Sequence, residues 1–281
     1  MSNWIKDEVT ILVNSNPETG NNNVTEDGSF FSIRLEDDGL RIPRDARNCT
    51  IQVENASIWY TTPNIIQGKN SKFYISGPDF NDVLQNFVVD IPQGLYSSDN
   101  LIQTIEQELL RLGAKVEANG KSLPLLDFIP DLPTGKIKLK INYPNVTIDF
   151  TQPDTFRDIL GFNSQIIGDF IGQIVPVFVT ADFPARFNQI DYYLINSTLT
   201  NEGLRINNRY TNTLARVLID VEPGAQIVYS PNHPSTIRAD HLIGTHLNTF
   251  DMILTDDRNE RVSTQGEYWS ALIKISWFIK V

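Results

Sequence analysis

Three histidines are the first candidates for site chemistry, because imidazole binds metal ions and titrates near neutral pH. They are His233, His241 and His246. His241 and His246 are five positions apart, so on one β-strand they would point to opposite faces. His233 lies in Asn-His-Pro, which is a turn sequence. We therefore predict three unrelated histidines. A shared metal site or a pH-sensing role is the alternative.

Two acidic clusters and one cysteine are the next candidates. Carboxylates bind Ca²⁺, and the clusters at 36–38 (Glu-Asp-Asp) and 256–260 (Asp-Asp-Arg-Asn-Glu) are rich in them. Neither cluster follows the EF-hand pattern, so we predict solvated turns. Cys49 has no histidine at a diagnostic spacing and is expected to be a buried apolar residue. A single cysteine excludes an internal disulfide and a Cys-based zinc site.

The sequence lacks the motifs of common enzyme classes. It contains no glycine-rich phosphate loop, no Gly-x-Ser-x-Gly elbow and no His-Glu-x-x-His helix. Its carboxylates are spread along the whole chain, so no pair is singled out for general acid–base catalysis. We predict no catalytic, cofactor-binding or metal-binding residues, and a protein that is not an enzyme. A metal-dependent jelly-roll enzyme is the alternative, but His241 and His246 are badly phased for it.

Composition narrows the classes of partner. The 281 residues carry a formal net charge of −11, which argues against wrapping nucleic acid through its phosphates. No apolar run approaches the roughly 20 residues that span a bilayer. The first residues lack the basic and apolar regions of a signal peptide. We therefore expect a soluble, acidic protein made in a reducing compartment, without a membrane span.

Short alternating segments separated by Gly, Pro and Asn predict a mainly β protein. The clearest strand is the last, 269–281, where odd positions are apolar and most even positions are polar. Leu272 and Phe278 are apolar exceptions on its polar face. A change of phase within 50–60 indicates a bulge or a strand buried on both faces. The other predicted strands lie at 9–13, 31–35, 190–195, 215–221, 237–243 and 250–254.

Helical patterns are confined to the middle of the chain. Ser97 and Ser98 can cap a helix over 99–112, and Gly113 stands where a left-handed C-terminal cap is expected. A shorter helix is predicted from Thr151 to a stop at Gly161.

Two strands, at 136–141 and 146–150, are predicted between these helices. We therefore predict a β-sandwich formed by residues 1–80 and 185–281. An α+β domain, residues 81–184, is inserted into one of its loops.

The order of several short motifs resembles a known family. Residues 56–65 (Ala-Ser-Ile-Trp-Tyr-Thr-Thr-Pro-Asn-Ile) precede 91–96 (Ile-Pro-Gln-Gly-Leu-Tyr) and the amphipathic helix. The lysine-alternating strand at 136–141 and then 159–162 (Ile-Leu-Gly-Phe) follow. This succession, which covers most of the chain, resembles the minor capsid (penton) protein of virophages and of the related polintons.

The resemblance implies a fold and a role. It implies a single jelly roll with an additional domain inserted in one loop, and no catalytic residues. It also implies a homopentamer that closes each five-fold vertex of an icosahedral virion assembled in the host cell. The expected partners are further copies of the chain and a double-jelly-roll major capsid protein. No sequence-specific nucleic-acid binding is expected.

The strands at 4–13 and 269–281 are expected to offer sheet edges for such contacts, with Leu272 and Phe278 covered by a neighbour. The alternative function is a binding module for a carbohydrate or a host-cell receptor. Six aromatic residues in predicted strands would line its groove, or else pack in the core or at a subunit interface. They are Trp59, Tyr60, Tyr192, Tyr193, Trp269 and Trp277.

Overall fold

A computed structural model gives the fold and describes residues 4–19, 22–35, 39–79, 81–118, 121–168, 170–206 and 209–280. The strands before the middle of the chain are β1 (Trp4–Asn14), β2 (Asn22–Val24), β3 (Phe30–Arg34), β4 (Leu40–Arg41) and β5 (Arg47–Trp59). The elements of the middle are β6 (Lys72–Pro78), β7 (Leu84–Asp90), α1 (Ser98–Arg111), β8 (Lys115–Ala118), β9 (Lys121–Pro124), β10 (Leu126–Asp131), β11 (Lys136–Ile141), β12 (Thr147–Asp149), α2 (Arg157–Leu160), β13 (Ile166–Ile167) and β14 (Val177–Thr180). The remaining strands are β15 (Tyr192–Ser197), β16 (Arg205–Ile206), β17 (Arg209–Tyr210), β18 (Thr213–Leu218), β19 (Gln226–Tyr229), β20 (Ile237–Arg238), β21 (His246–Leu247), β22 (Thr249–Thr255) and β23 (Ser270–Lys280). Two short 3₁₀ helices, Pro17–Thr19 and Asp240–Leu242, complete the described elements.

Contacts divide the chain into two units. Unit 1 combines Met1–Thr62 with Ile190–Val281, and unit 2 is Pro63–Gln189. These boundaries differ from the sequence-based ones, which fall after residues 80 and 184. The difference arises because β6 pairs with β7 along its whole length, from Lys72 opposite Asp90 to Pro78 opposite Leu84.

Unit 1 is a jelly roll. Sheet I has the order β1-β23-β5-β19, and sheet II has the order β18-β15-β22-β3, with β2 at its edge. Numbering the eight main strands along the chain gives 1-8-3-6 in sheet I and 5-4-7-2 in sheet II. Apart from the fourth and fifth strands, which are neighbours in sheet II, successive strands alternate between the two antiparallel sheets, and this is the jelly-roll topology. The fold class predicted from the sequence is confirmed. Along the chain, unit 2 follows the third of these strands and precedes the fourth.

The alternation in the last strand explains its place in sheet I. Ala271, Ile273 and Ile275 are fully buried, whereas the residues between them are half-buried. The period-two pattern therefore turns one face of β23 into the sandwich. The predicted irregularity in 50–60 is confirmed as a bulge, because Leu272 pairs with Asn55 but Ile273 pairs with Val53.

The predicted strand at 237–243 is wrong beyond its first two residues. β20 ends at Arg238, and Asp240–Leu242 form a 3₁₀ helix. Asp240 explains the change, because its Oδ1 accepts a hydrogen bond from the Cys49 N–H at 2.9 Å. A side-chain acceptor thus takes over where a continuing strand would offer a backbone carbonyl. The alternation of apolar and polar residues does not reveal that a side-chain acceptor replaces a backbone carbonyl here.

Unit 2 combines helix and sheet around its own core. Sheet III has the order β10-β11-β14, sheet IV has the order β13-β12-β6-β7, and β8 and β9 form a hairpin. Phe73 stands at the centre, with its ring 5.5 Å from Phe128, 5.7 Å from Phe150 and 5.6 Å from Phe156. Such aromatic clusters contribute both buried area and specific ring geometry to a core.

The main predicted helix is confirmed as α1. Ser97 caps it, because its side chain accepts a hydrogen bond from the Asn100 N–H at 3.3 Å. Gly113 follows with φ +80°, as a left-handed cap requires. The buried face contains Leu101, Ile102, Ile105 and Leu109.

The second predicted helix starts too early. α2 covers only Arg157–Leu160, although it ends at Gly161 as predicted, with φ +83°. The Thr151 N–H donates to Asp149 Oδ1 at 2.8 Å. This Asx turn occupies the stretch in which the sequence offered an N-cap.

The two ends of unit 2 lie close together. The Asn64 side-chain amide donates to the carbonyl oxygens of Tyr96, at 2.7 Å, and Phe187, at 2.9 Å. Adjacent ends are what insertion of a domain into a loop of another requires. We therefore propose that unit 2 is an α+β domain inserted into a loop of unit 1.

Candidate functional site

The three histidines occupy different local structures. His233 lies exposed in the loop before β20, and His246 lies on β21 opposite Arg41. His241 lies in the 3₁₀ helix, with its Nε2 3.0 Å from the carbonyl oxygen of Leu199. Among the residues that the structure describes, no group of three His, Cys, Asp or Glu side chains is placed to hold a metal ion.

The second acidic cluster forms a structured turn after β22. Asp256 Oδ1 accepts hydrogen bonds from the N–H groups of Arg258, at 2.9 Å, and Glu260, at 2.8 Å. Asn259 adopts φ +64° within it. This carboxylate is therefore used to close the turn. The first cluster, 36–38, lies outside the described residues.

Cys49 is fully buried on β5. Burial, with a smaller contribution from the charge of Asp240, raises the pKa of the Cys49 thiol to about 11. The thiol is therefore protonated at neutral pH, and the thiolate that nucleophilic or metal chemistry needs is suppressed.

Most of the six aromatic candidates pack inside unit 1. Tyr60, Tyr193, Trp269 and Trp277 are buried, and the Tyr193 hydroxyl lies 2.7 Å from Thr62 Oγ1. Trp59 remains 36% exposed. Buried rings cannot line a sugar groove, so the structure assigns at least these four to packing.

A chain of ion pairs crosses three strands on the outer face of sheet I. The Lys6 ammonium lies 3.1 Å from the Glu8 carboxylate, and the Lys274 ammonium lies 3.2 Å from it. Lys274 also lies 3.5 Å from Glu54. Hydrogen bonds from Lys6 and then Lys274 hold the pKa of Glu8 below its ordinary value. Each exposed pair stabilises the fold little, but together they fix the pattern of charge on this face.

An apolar pair lies on the same face. Leu12 on β1 is directly opposite Leu272 on β23. Leu12 is 69% exposed, and Leu272 is half-buried. Their neighbours Val13 and Ala271, on the opposite face, are buried in the sandwich. The sequence indicated Leu272, but it missed Leu12 because only the register between the two strands reveals the pairing.

The expectation that both terminal strands offer open edges is wrong for the last one. β23 pairs with β1 on one side and with β5 on the other. Both sides of its backbone are therefore used within sheet I. Among the described residues, β1 forms one edge of this sheet, and β19 and β20 lie at the other edge beside β5.

Among solved structures, a viral penton protein is similar to this chain. No family model matches the chain, and no curated protein matches it. The chain is similar to the crystal structure of the SeMet-labelled mavirus penton protein, with 13% identity and a TM-score of 0.47. The alignment covers 99% of this chain and 100% of that chain. The jelly-roll assignment above rests on the strand order of sheets I and II.

Unit 2 exposes three apolar side chains that are close together in the chain and that the sequence patterns did not single out. Ile171 and Ile174, in the connection between β13 and β14, are 75% and 93% exposed, and Phe178 on β14 is 56% exposed. The signal was present in the sequence, since residues 170–181 contain no charged residue. Exposed apolar residues mark a contact surface when they form one contiguous patch. Among the described residues, no helix is long and apolar enough to cross a bilayer.

Proposed function

We propose that the protein is a minor capsid (penton) protein. In this role it closes the five-fold vertices of an icosahedral virion as a homopentamer and contacts a double-jelly-roll major capsid protein. The jelly-roll topology of unit 1 supports the proposal, because viral capsid proteins use this fold to form shells. The order of sequence motifs, which resembles the virophage and polinton family, supports the same role.

The apolar pair Leu12 and Leu272 is the observation that carries the proposal. Covering the exposed part of Leu12 would stabilise a contact by about 1 to 2 kcal/mol. In a ring of identical copies, one patch meets a different patch on the next copy until the rotation closes. A partly exposed apolar pair on a sheet face provides one half of such a contact.

The ion pairs beside this apolar pair would form the polar rim of the contact. Glu8 and Glu54 each lie beside Lys274, so the charges alternate in sign across the sheet. Alternating charges at a rim favour one register of the neighbour and oppose others. They also limit the repulsion that a net charge of −11 would otherwise cause between copies.

Native mass spectrometry tests the proposal. The wild-type protein is expected at five times the mass of the 31.8 kDa chain, and Leu12→Asp is expected to be monomeric. Leu132→Asp is the matched control, because Leu132 is 88% exposed in unit 2. Equal effects of the two substitutions would show that Leu12 has no special role. A wild-type chain that stays monomeric at every concentration would contradict self-assembly.

Co-expression with a double-jelly-roll major capsid protein tests the place in the virion. The expected result is particles that contain both proteins, with the present protein lost from the particles after Leu12→Asp. Particles that form with the vertices occupied equally well by the variant would contradict the contact, while leaving the jelly-roll assignment intact.

A further inference from the structure

β14 forms an edge of sheet III in unit 2. Within the described residues, it pairs only with β11, with Val179 opposite Leu139 and Phe178 opposite Lys140. Phe178 is 56% exposed. An open edge presents backbone N–H and C=O groups with which a further strand can pair.

One hydrogen bond fixes which groups point to this edge. The Ala181 N–H donates to the Ile137 carbonyl at 2.8 Å, in line with the register of the two strands. In an antiparallel pair, hydrogen-bonded residues alternate with residues whose backbone groups point away. Val179 therefore bonds to β11, whereas Phe178 and Thr180 direct their N–H and C=O groups to the open side.

The edge of sheet I is protected in a way that β14 is not. β1 carries charges at its centre, and the Asp7 carboxylate accepts a hydrogen bond from the Glu8 N–H at 3.0 Å. Charged side chains on an edge oppose pairing with another chain. Residues 170–181 contain no charged residue, and Ile171 and Ile174 beside β14 are exposed.

Charge and hydrogen bonding favour a second copy of this chain as the occupant. Hydrocarbon offers no partner for the free N–H and C=O groups, which disfavours a lipid surface. Two copies with a net charge of −11 repel each other over most of their surfaces. The uncharged stretch 170–181 can align with itself without placing like charges opposite each other.

The geometry points to antiparallel pairing of β14 with β14 of a second copy, around a two-fold axis at Val179. In this register Phe178 of each copy forms a hydrogen-bonded pair with Thr180 of the other. Val179 faces Val179 of the second copy in a pair that is not hydrogen-bonded. The contact is separate from the proposed pentamer and does not depend on it.

A disulfide trap tests this pairing. Cα atoms of such a facing pair lie about 4.5 Å apart, within the range of about 4.4–6.8 Å that a disulfide spans. Val179→Cys is therefore expected to form a covalent dimer under mild oxidation. A stable interface buries about 800 Å² per partner, which is more than a short strand provides, so the contact through β14 is weak. A disulfide captures such a weak contact covalently and is therefore a more sensitive test than a mass measurement.

Two controls make the result decisive. Leu132→Cys places a thiol at an 88% exposed site outside β14, and wild type contains only the buried Cys49. Local pairing raises the effective concentration of the thiols, so Val179→Cys is expected to dimerise at least about tenfold faster than Leu132→Cys. Equal rates would overturn the proposal.

A proline at position 180 gives a second test. The Thr180 N–H points to the open side, so Thr180→Pro removes a donor that the second copy needs but no bond to β11. Val179→Cys combined with Thr180→Pro is expected to form no disulfide-linked dimer, with an unchanged circular dichroism spectrum. Undiminished dimerisation, or loss of dimer on adding phosphatidylcholine vesicles that bind wild type, would overturn the proposal. Native mass of the reduced protein reports the pentamer separately.

Discussion

The indole ring of Trp269 meets the ring of Phe31 edge to face, with 5.0 Å between the ring centroids. Trp269 directly precedes β23 of sheet I, and Phe31 lies on β3 of sheet II. The Trp269 Nε1–H also donates to the Gly28 carbonyl at 3.0 Å. This one side chain therefore links the two sheets and anchors the turn that leads into β3.

Replacing Trp269 with alanine is expected to destabilise the fold by about 3 to 5 kcal/mol, the range for deleting a large buried ring. Trp59→Ala is the matched control, because Trp59 is 36% exposed. It should cost clearly less, about 1 kcal/mol. Urea unfolding followed by circular dichroism measures both without relying on tryptophan fluorescence. Similar midpoints for the two variants would show that Trp269 does not join the sheets.

The sequence was sufficient for the long, one-sided elements. β23 and α1 were predicted correctly because each buries one face, and the period of the apolar residues then reveals the element. Elements whose ends depend on a side-chain hydrogen bond were not predictable in this way. The Asp240 carboxylate accepts a hydrogen bond where β20 ends, and the Asp149 carboxylate accepts one in the stretch before α2 begins. Neither hydrogen bond follows from the alternation or the helical periodicity of the sequence.

The candidate surface was predicted in part. Leu272 stood out as apolar on a polar face, but its partner Leu12 depends on the register of residues distant in sequence. The apolar stretch around β14 was overlooked because the strand contains only four residues, Val177–Thr180. Short uncharged strands give little periodicity, although the lack of charge was itself a usable signal.

Gly161 allows the chain to turn at the end of α2. A Cβ added there would lie 2.2 Å from the Phe183 carbonyl oxygen, and the residue has φ +83°. Gly172 has nearly the same φ, +82°, but nothing lies within 4 Å of its added Cβ. Substitutions at both positions strain the backbone, but only a substitution at Gly161 also causes a steric clash. Comparing the two therefore distinguishes steric conflict from backbone strain.

Gly172→Ala is expected to cost about 1 to 2 kcal/mol, the penalty for a left-handed alanine. Gly161→Ala should cost about 1 to 3 kcal/mol more, because the Phe183 backbone must shift. Chemical denaturation of both variants measures the difference. If the two costs are equal, the close approach to Phe183 contributes nothing to stability.

The buried Cys49 thiol is expected to make the folded protein less stable at alkaline pH. Burial raises the pKa of its thiol from 9.0 to about 11, so the folded state holds a proton that the unfolded state releases above pH 9. The free energy of unfolding therefore falls as pH rises from 9 to 11, by about 2 to 3 kcal/mol from this group. Below pH 9 the contribution is fully present.

Cys49→Ala isolates this effect, since all other titrating groups are common to both proteins. The variant is expected to lose less stability than wild type between pH 9 and 11, whatever its stability at pH 7. Urea unfolding at a series of pH values gives the two slopes. Parallel slopes would mean that the Cys49 thiol does not remain protonated in the folded protein.

The Glu8 N–H points to the open edge of sheet I. The Ser15 N–H donates to the Trp269 carbonyl at 2.9 Å, and this bond continues the register in which Asn14 pairs with Ser270. Odd-numbered residues of β1 therefore bond to β23, and even-numbered residues direct their backbone groups outward. Asp7 occupies the outward N–H of Glu8 with its carboxylate.

Removing this cap is expected to make β1 associate with other chains. Asp7→Ala exposes the Glu8 N–H and deletes a charge from the edge, two changes that favour strand pairing. Sedimentation velocity should show concentration-dependent association beyond that of wild type. Asp45→Ala, which removes the same charge from an exposed turn, should not.

Adding Thr10→Pro to Asp7→Ala should suppress the new association, because it blocks another outward N–H of β1. Association that persists with proline at position 10 would place the contact elsewhere than the edge of β1.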